Sequence, residues 1–148
     1  MSKFKIMERK VFLLLLIVSF PSLPYAQSRR TLSFDVTGFG DNSGQLLVEF
    51  FRKEDKVPTV PFKVIMVKIT DKKAQVKIEN FPYGDYAVIF VHDKNSNGKI
   101  DHSFGIPSEP LGYTNNWKLS LFSGMPTFDK LKFTFNASMN HFVIKMPE

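Results

Sequence analysis

From residue 32 onward, apolar and polar side chains alternate with a period of two in segment after segment. Leu32, Phe34 and Val36 interleave with Ser33, Asp35 and Thr37, and Ala74, Val76 and Ile78 with Gln75, Lys77 and Glu79. Leu131, Phe133 and Phe135 interleave with Lys132, Thr134 and Asn136, and Phe142, Ile144 and Met146 with His141, Val143 and Lys145. Neighbouring side chains of a strand leave opposite faces of a sheet, so this alternation predicts half-buried strands. Leu46, Val48 and Phe50 alternate as well, but Leu47 and Phe51 make that strand apolar on both faces. Val64 to Ile69 is rich in β-branched residues, and Tyr86 to Val91 is nearly continuous apolar sequence, as a doubly covered central strand requires.

Clusters of Gly, Pro, Asn and Asp separate these runs, and no helical period is visible beyond the first residues. The expectation is an all-β fold, a seven-stranded immunoglobulin-like or transthyretin-like β-sandwich with one long irregular loop. In Phe81-Pro82-Tyr83-Gly84-Asp85-Tyr86, Tyr86 is placed either to close a tyrosine corner with its hydroxyl or to serve as an ordinary core aromatic.

The start of the chain differs. Lys3, Lys5, Arg9 and Lys10 face one acid, Glu8, and a short apolar run follows from Val11 to Phe20. Pro21 to Gln27 then supplies a small-residue, polar exit, which together read as a secretory signal peptide ending near Ala26. A spanning helix needs about 20 apolar residues, so a retained anchor is the lesser reading and no stable membrane insertion is expected after cleavage. The expected layout is a signal over residues 1–26 and a single sandwich domain over 27–148, periplasmic or secreted.

Composition narrows the picture further. The chain has no cysteine, so export brings no disulfide and no lipid-modified cysteine. Removal of the signal takes away four bases and one acid, lowering the formal charge from +6 to +3. The remaining Lys and Arg are spread along strands, which argues against nucleic acid as a partner.

One stretch carries recognisable chemistry. In His92-Asp93-Lys94-Asn95-Ser96-Asn97-Gly98-Lys99-Ile100-Asp101, oxygen-bearing side chains recur at every second position before a glycine. Calcium wants six to eight oxygens, and such a loop offers Asp93, Asn95, Asn97, the Lys99 carbonyl and Asp101. The twelfth position, where a bidentate Glu belongs, is Phe104, so binding would be weak and structural unless Glu109 folds back. The alternative is a bare polar turn, since Asn and Asp satisfy their own backbone and Asn97-Gly98 favours a tight hairpin.

After Asp101 the strand pattern lapses for a long stretch that is rich in aromatics. Segments of this length inside a compact domain are usually functional or disordered, and aromatics argue against disorder. Tyr113, Asn115, Asn116 and Trp117 are the ligand-binding candidates, with Phe122 beside them; the alternative is that the rings pack beneath their own loop. His92, His102 and His141 lack zinc or copper spacing. No Gly-x-Ser-x-Gly elbow, phosphate loop or cysteine nucleophile is present, so no catalytic residue is assigned. Asn136-Ala137-Ser138 fits a glycosylation sequon, relevant only to a eukaryotic secretory route.

His92-Asp93-x-Asn95-x-Asn97-Gly98-Lys99-x-Asp101, followed by Phe104-Gly105-x-Pro107-x-Glu109-Pro110-x-Gly112-x-x-Asn115-Asn116 and Pro126-x-Phe128, resembles a bacterial family. That family is catalogued as domain of unknown function 2141. The resemblance covers nearly the whole mature chain and implies an exported bacterial protein with a sandwich fold, without supplying an activity. Trp117 and the stretch to Ser123 follow the shared pattern less closely. Three function classes follow: a binding module for a glycan, peptide or envelope protein, a structural envelope protein without ligand, and a hydrolase using Asp93, Asp101 or Glu109. Paired catalytic carboxylates need a cleft and perturbed surroundings, which places the hydrolase last.

Overall fold

The computed structural model describes residues 30–120 and 122–147, so the expected signal peptide lies outside the described residues. The first five strands are β1 (Leu32–Thr37), β2 (Gln45–Phe51), β3 (Lys63–Lys68), β4 (Lys73–Ile78) and β5 (Gly84–Asp93). Three short strands follow, β6 (His102–Ser103), β7 (Ile106–Pro107) and β8 (Leu111–Tyr113), then one helical turn, α1 (Phe128–Leu131). The chain closes with β9 (Phe133–Phe135) and β10 (His141–Lys145). The fold is mostly β. The strands expected from alternation are present, and β6, β7 and β8 occupy the segment read as irregular. Leu131 is a correction. Alternation puts it at the start of a strand, but it ends α1, where its N–H donates to the Thr127 carbonyl at 3.2 Å.

Two sheets hold the molecule. β1 lies between β10, which runs parallel to it, and β4, which runs antiparallel. The larger sheet runs β3-β2-β5-β8 with antiparallel neighbours, and β9 also pairs with β5. The sheets face one another across a core made by alternate residues of each strand: Leu32, Phe34 and Val36 from β1, Leu46, Val48 and Phe50 from β2, Val88 and Phe90 from β5. Phe34 is its hub, meeting Phe90 edge-on at a centroid distance of 5.2 Å and Phe133 at 5.7 Å. Edge-to-face aromatic pairs of this kind add about 0.5–1.5 kcal/mol each beyond their burial.

The Tyr86 hydroxyl donates to the Pro82 carbonyl at 3.1 Å, the geometry of a tyrosine corner at the entry to β5. β3 is an edge strand with Lys63 and Lys68 exposed at its ends, which blunts edge-to-edge pairing.

β5 is buried along both faces, so the opposite side of the larger sheet also needs a cover. Leu47, Phe51, Ala87, Ile89 and Val91 form a second apolar cluster there with Tyr113 and Leu131. Ile100, Leu111, Trp117 and Phe128, all from the long connection between β5 and β9, pack against it. That connection must also complete the ladder of β5. Gly84 to Tyr86 pair with β9, and Ile89 to Val91 pair with β8, leaving a gap between the two partners. Buried Thr114 fills it: its hydroxyl accepts the Val88 N–H at 3.0 Å and donates to the Leu131 carbonyl at 2.6 Å.

Thr114→Val keeps the shape of this side chain and removes both bonds. The variant should lose about 1–3 kcal/mol in denaturant unfolding, whereas Thr114→Ser should retain most of the wild-type stability.

Candidate functional site

The Asp93 loop begins where β5 ends. Asp93 is buried, and its Oδ2 accepts Gln45 Nε2 and the Gly98 N–H, each at 2.8 Å. Its Oδ1 accepts the Asn97 N–H at 3.1 Å. Burial pushes the Asp93 carboxyl up, but bonds from Gln45 and from the N–H groups of Gly98, Asn97 and Ser96 outweigh it and hold the group below its ordinary value. The loop is therefore wound around an ionised carboxylate. Asn95 and Asn97 repeat the device on a smaller scale, accepting the Asn97 N–H at 3.0 Å and the Lys99 N–H at 2.9 Å. Gly44, with φ of +65°, lets the β1–β2 connection press against the same place; any Cβ there would collide with the Asp93 carbonyl.

Glu109 does fold back. Its carboxylate accepts the Lys94 N–H at 3.0 Å and the Asp101 N–H at 3.2 Å, tying the two ends of the loop together. Asp93, Asn95, Asn97 and Asp101 are thus brought into one turn. Asn95 and Asn97 both direct their amide nitrogens to Asp101, at 2.6 and 2.9 Å. The donor set suits a hard cation in kind, because every side chain offers an oxygen. A cation at Asp101 has to displace the two amide bonds, and among the described residues no three His, Asp or Glu side chains are grouped to hold a metal. His92 is buried, with Nε2 2.9 Å from the Ser43 carbonyl, so that nitrogen carries the proton. His102 is exposed on β6.

The aromatic candidates divide. Tyr113 is 6 % exposed and meets half-buried Trp117 at right angles, centroids 4.7 Å apart. Tyr113, Asn116 and Trp117 line one cleft of ≈ 840 Å³ together with Lys118 and Ile144. Asn115 turns away and donates to the Lys130 carbonyl at 3.0 Å. Phe122 points into solvent and joins neither ring. Lys130 holds this part of the segment down, with Nζ 2.7 Å from the Ser123 carbonyl and 2.9 Å from that of Met125.

A second cavity, of ≈ 430 Å³, lies over Ile89 on the covered face of the larger sheet. Its walls are mostly apolar: Pro58, Ile100, Ile106, Leu111, Leu119 and Met125 contribute, and Tyr113 lines it as well. The Tyr113 hydroxyl is buried and meets no protein partner, and burial pushes its pKa up to about 12. Glu49 Oε2 shares that condition, and burial pushes the Glu49 carboxyl up to about 7. Glu49 pairs with Ile89, and Ile89 with Tyr113, so the three stand in one cross-strand row on one face. Sequence reasoning missed Glu49 and Thr114. The signal for Glu49 was available, since it is the lone acid within the doubly apolar run Leu46 to Phe51.

Fold and site together define an all-β domain of two main sheets, with an Asx-rich loop and an aromatic cover on one face. Residues 34–142 match the model of a family described as an uncharacterized protein conserved in bacteria (DUF2141), and the chain belongs to that family. The matched span holds the Asp93 loop and the whole covering segment. Neither a curated protein nor a solved structure gives a significant match.

Glu49 generates a pH prediction. Its folded pKa lies above the 4.5 of the unfolded chain, so the fold favours the neutral acid. The contribution of Glu49 to stability should be full below 4.5 and be lost as pH rises through about 7. Glu49→Gln should lack that decline and exceed the wild type in alkaline buffer, as read from unfolding free energies across pH.

Proposed function

We propose that the chain acts, after export to the periplasm or beyond it, as a non-enzymatic binding or envelope-accessory module. One observation carries this reading. Phe104 occupies the tip of the β6–β7 hairpin with φ of +50°, followed by Gly105 at +79°, and its side chain is fully exposed. Positive φ at both central residues is the pattern of a type I′ turn, which Asn-Gly fills without strain and a bulky aromatic does not. An exposed ring in a strained backbone position contributes nothing to the fold, and strain of this kind collects at functional sites. Ile106, Leu119, Phe122 and Met125 are exposed on the same connection. The partner that fits such a surface is an envelope component, whether glycan, peptide or protein.

The two facing sheets and the Tyr86 corner support a sandwich of immunoglobulin-like or transthyretin-like kind as the scaffold. The Asp93 loop is proposed to take calcium as a weak, structural ion through Asp93, Asn95, Asn97, the Lys99 carbonyl and Asp101. The carboxylates of Asp93, Asp101 and Glu109 each accept hydrogen bonds from backbone or amide groups, which supports a scaffold role over acid–base work. A purely structural reading has one observation in its favour, the perpendicular packing of Tyr113 on Trp117 beneath Lys130.

Phe104→Asn tests the binding surface. The mature variant should melt at or above the wild-type temperature yet lose the wild type's co-sedimentation with isolated bacterial envelopes; retention by the variant, or none by the wild type, removes the proposal. The loop is tested separately by thermal melts in chelator and in millimolar calcium. Binding at the affinity usual for extracellular modules should add about 1 kcal/mol, and Asp101→Ala should abolish the gain.

A further inference from the structure

The free edge of β8 carries an inference that rests on the binding reading and names the partner's chemistry. β8 ends the larger sheet and β10 ends the smaller one, so among the described residues each has one side without a neighbouring strand. The His92 N–H donates to the Pro110 carbonyl at 3.0 Å, and Phe90 stands opposite Gly112. Main-chain groups alternate in direction along a strand, so Pro110 and Gly112 face β5, while Leu111 and Tyr113 turn their N–H and C=O groups away from it. Among the described residues those four groups meet no partner. The cleft of ≈ 840 Å³ lies against them, since Gly112 is one of its lining residues and has only main chain to offer. Ile144 and Met146, from the core between the sheets, line it together with Leu111 and Trp117, from the cover on the opposite face. The cleft is thus a slot that continues the plane of the larger sheet. A Cβ at Gly112 would stand 2.8 Å from Met146 Sδ, so β8 already packs on the end of β10 and the slot is preformed.

We propose that this slot takes one extended, acidic peptide segment of a partner protein, added as a strand to the free edge of β8. Main-chain groups two residues apart match the repeat of an extended chain, and the walls on both faces receive its alternate side chains. β3, at the other end of the larger sheet, has a lysine at each end of its edge, which discourages pairing, whereas β8 carries no charge. Charge sets the sequence preference. Lys118 and Lys145 are exposed and line the slot. Glu109 lines it too, but its carboxylate is held by the N–H groups of Lys94 and Asp101. An acidic segment complements this rim, whereas a second copy of the same edge would bring like charges together.

The test uses a capped octapeptide of alternating Val and Glu, its Val-Lys counterpart, and the Val-Glu peptide N-methylated throughout, each titrated into the mature protein. Trp117 is the sole tryptophan and lines the cleft, so its fluorescence reports occupancy. The Val-Glu peptide should bind saturably, and the Val-Lys peptide at least about tenfold more weakly. N-methylation keeps the side chains and the charge but removes the main-chain donors, and it should weaken binding at least about tenfold. The double variant Lys118→Glu, Lys145→Glu changes only exposed positions; it should keep the wild-type melting temperature and reverse the preference between the two charged peptides. Absence of saturable Val-Glu binding overturns the inference, as does equal binding of the N-methylated form, which would leave charge as the whole attraction. Self-association of the protein that the Val-Glu peptide reverses also overturns it, by making a second copy the occupant. If the peptides fail while Phe104→Asn still abolishes envelope association, the partner class falls and the surface reading stands.

Discussion

The structure depends on β5 being apolar on both sides. Val88 and Phe90 face one cluster, and Ala87, Ile89 and Val91 the other, so neither face of the strand tolerates water. One sheet-on-sheet core satisfies only half of this requirement. The other half falls to the connection between β5 and β9, which in a plain sandwich could be a short turn. Its length is therefore a structural necessity before it is anything else, because it supplies Ile100, Leu111, Tyr113, Trp117 and Phe128 as the second layer. A strand of this kind also needs hydrogen-bond partners along its whole outer edge. β8 and β9 provide them in two instalments, and Thr114 bridges the seam.

A cover built from turns and three-residue strands packs less completely than a sheet. The main core is closed by interlocking rings around Phe34, whereas the cover leaves a cavity over Ile89 and two polar atoms without partners. These imperfections cluster on one face and along one cross-strand row. Random defects would be scattered over both sheets. The hydrogen-bonded Asp93 loop stands at the rim of the same face, because Asp93 shares its outward orientation with Ile89 and Val91. Glu109 links it to the start of β8, so the loop and the cover are fixed to one another through its two backbone bonds.

The strands of the two main sheets were legible because period two is imposed by burial on one face, and Leu32–Thr37 and Lys73–Ile78 show it cleanly. β8 was not legible, since three residues with Gly112 in the middle contain no period to detect. Leu131 fitted an alternating pattern by accident of spacing; what it senses is burial in the outer cluster, which a helical turn provides equally well. The Asx ladder was legible as a tight turn, and its hydrogen bonds follow the pattern that both a bare turn and a cation loop share. The fold-back of Glu109 could be named as a requirement, but its occurrence depends on where β6 and β7 place the returning chain, which local spacing does not encode. Glu49 needed the register, since only pairing with Ile89 shows that it stands among apolar neighbours on the covered face.

Two residues on the covering segment run against what stability alone selects, and they do so in opposite ways. Phe104 is apolar where solvent and a left-handed backbone favour Asn, and Tyr113 keeps a polar atom where an apolar enclosure favours Phe. A segment whose task ended at shielding β5 has no use for either choice, since each exchange leaves the apolar contacts with Ile89 and Val91 intact. Ile106, two residues after Phe104 in the hairpin, lines the same cavity as the Tyr113 side chain. Shielding explains why the connection is long, and it leaves these two departures to the proposed binding role.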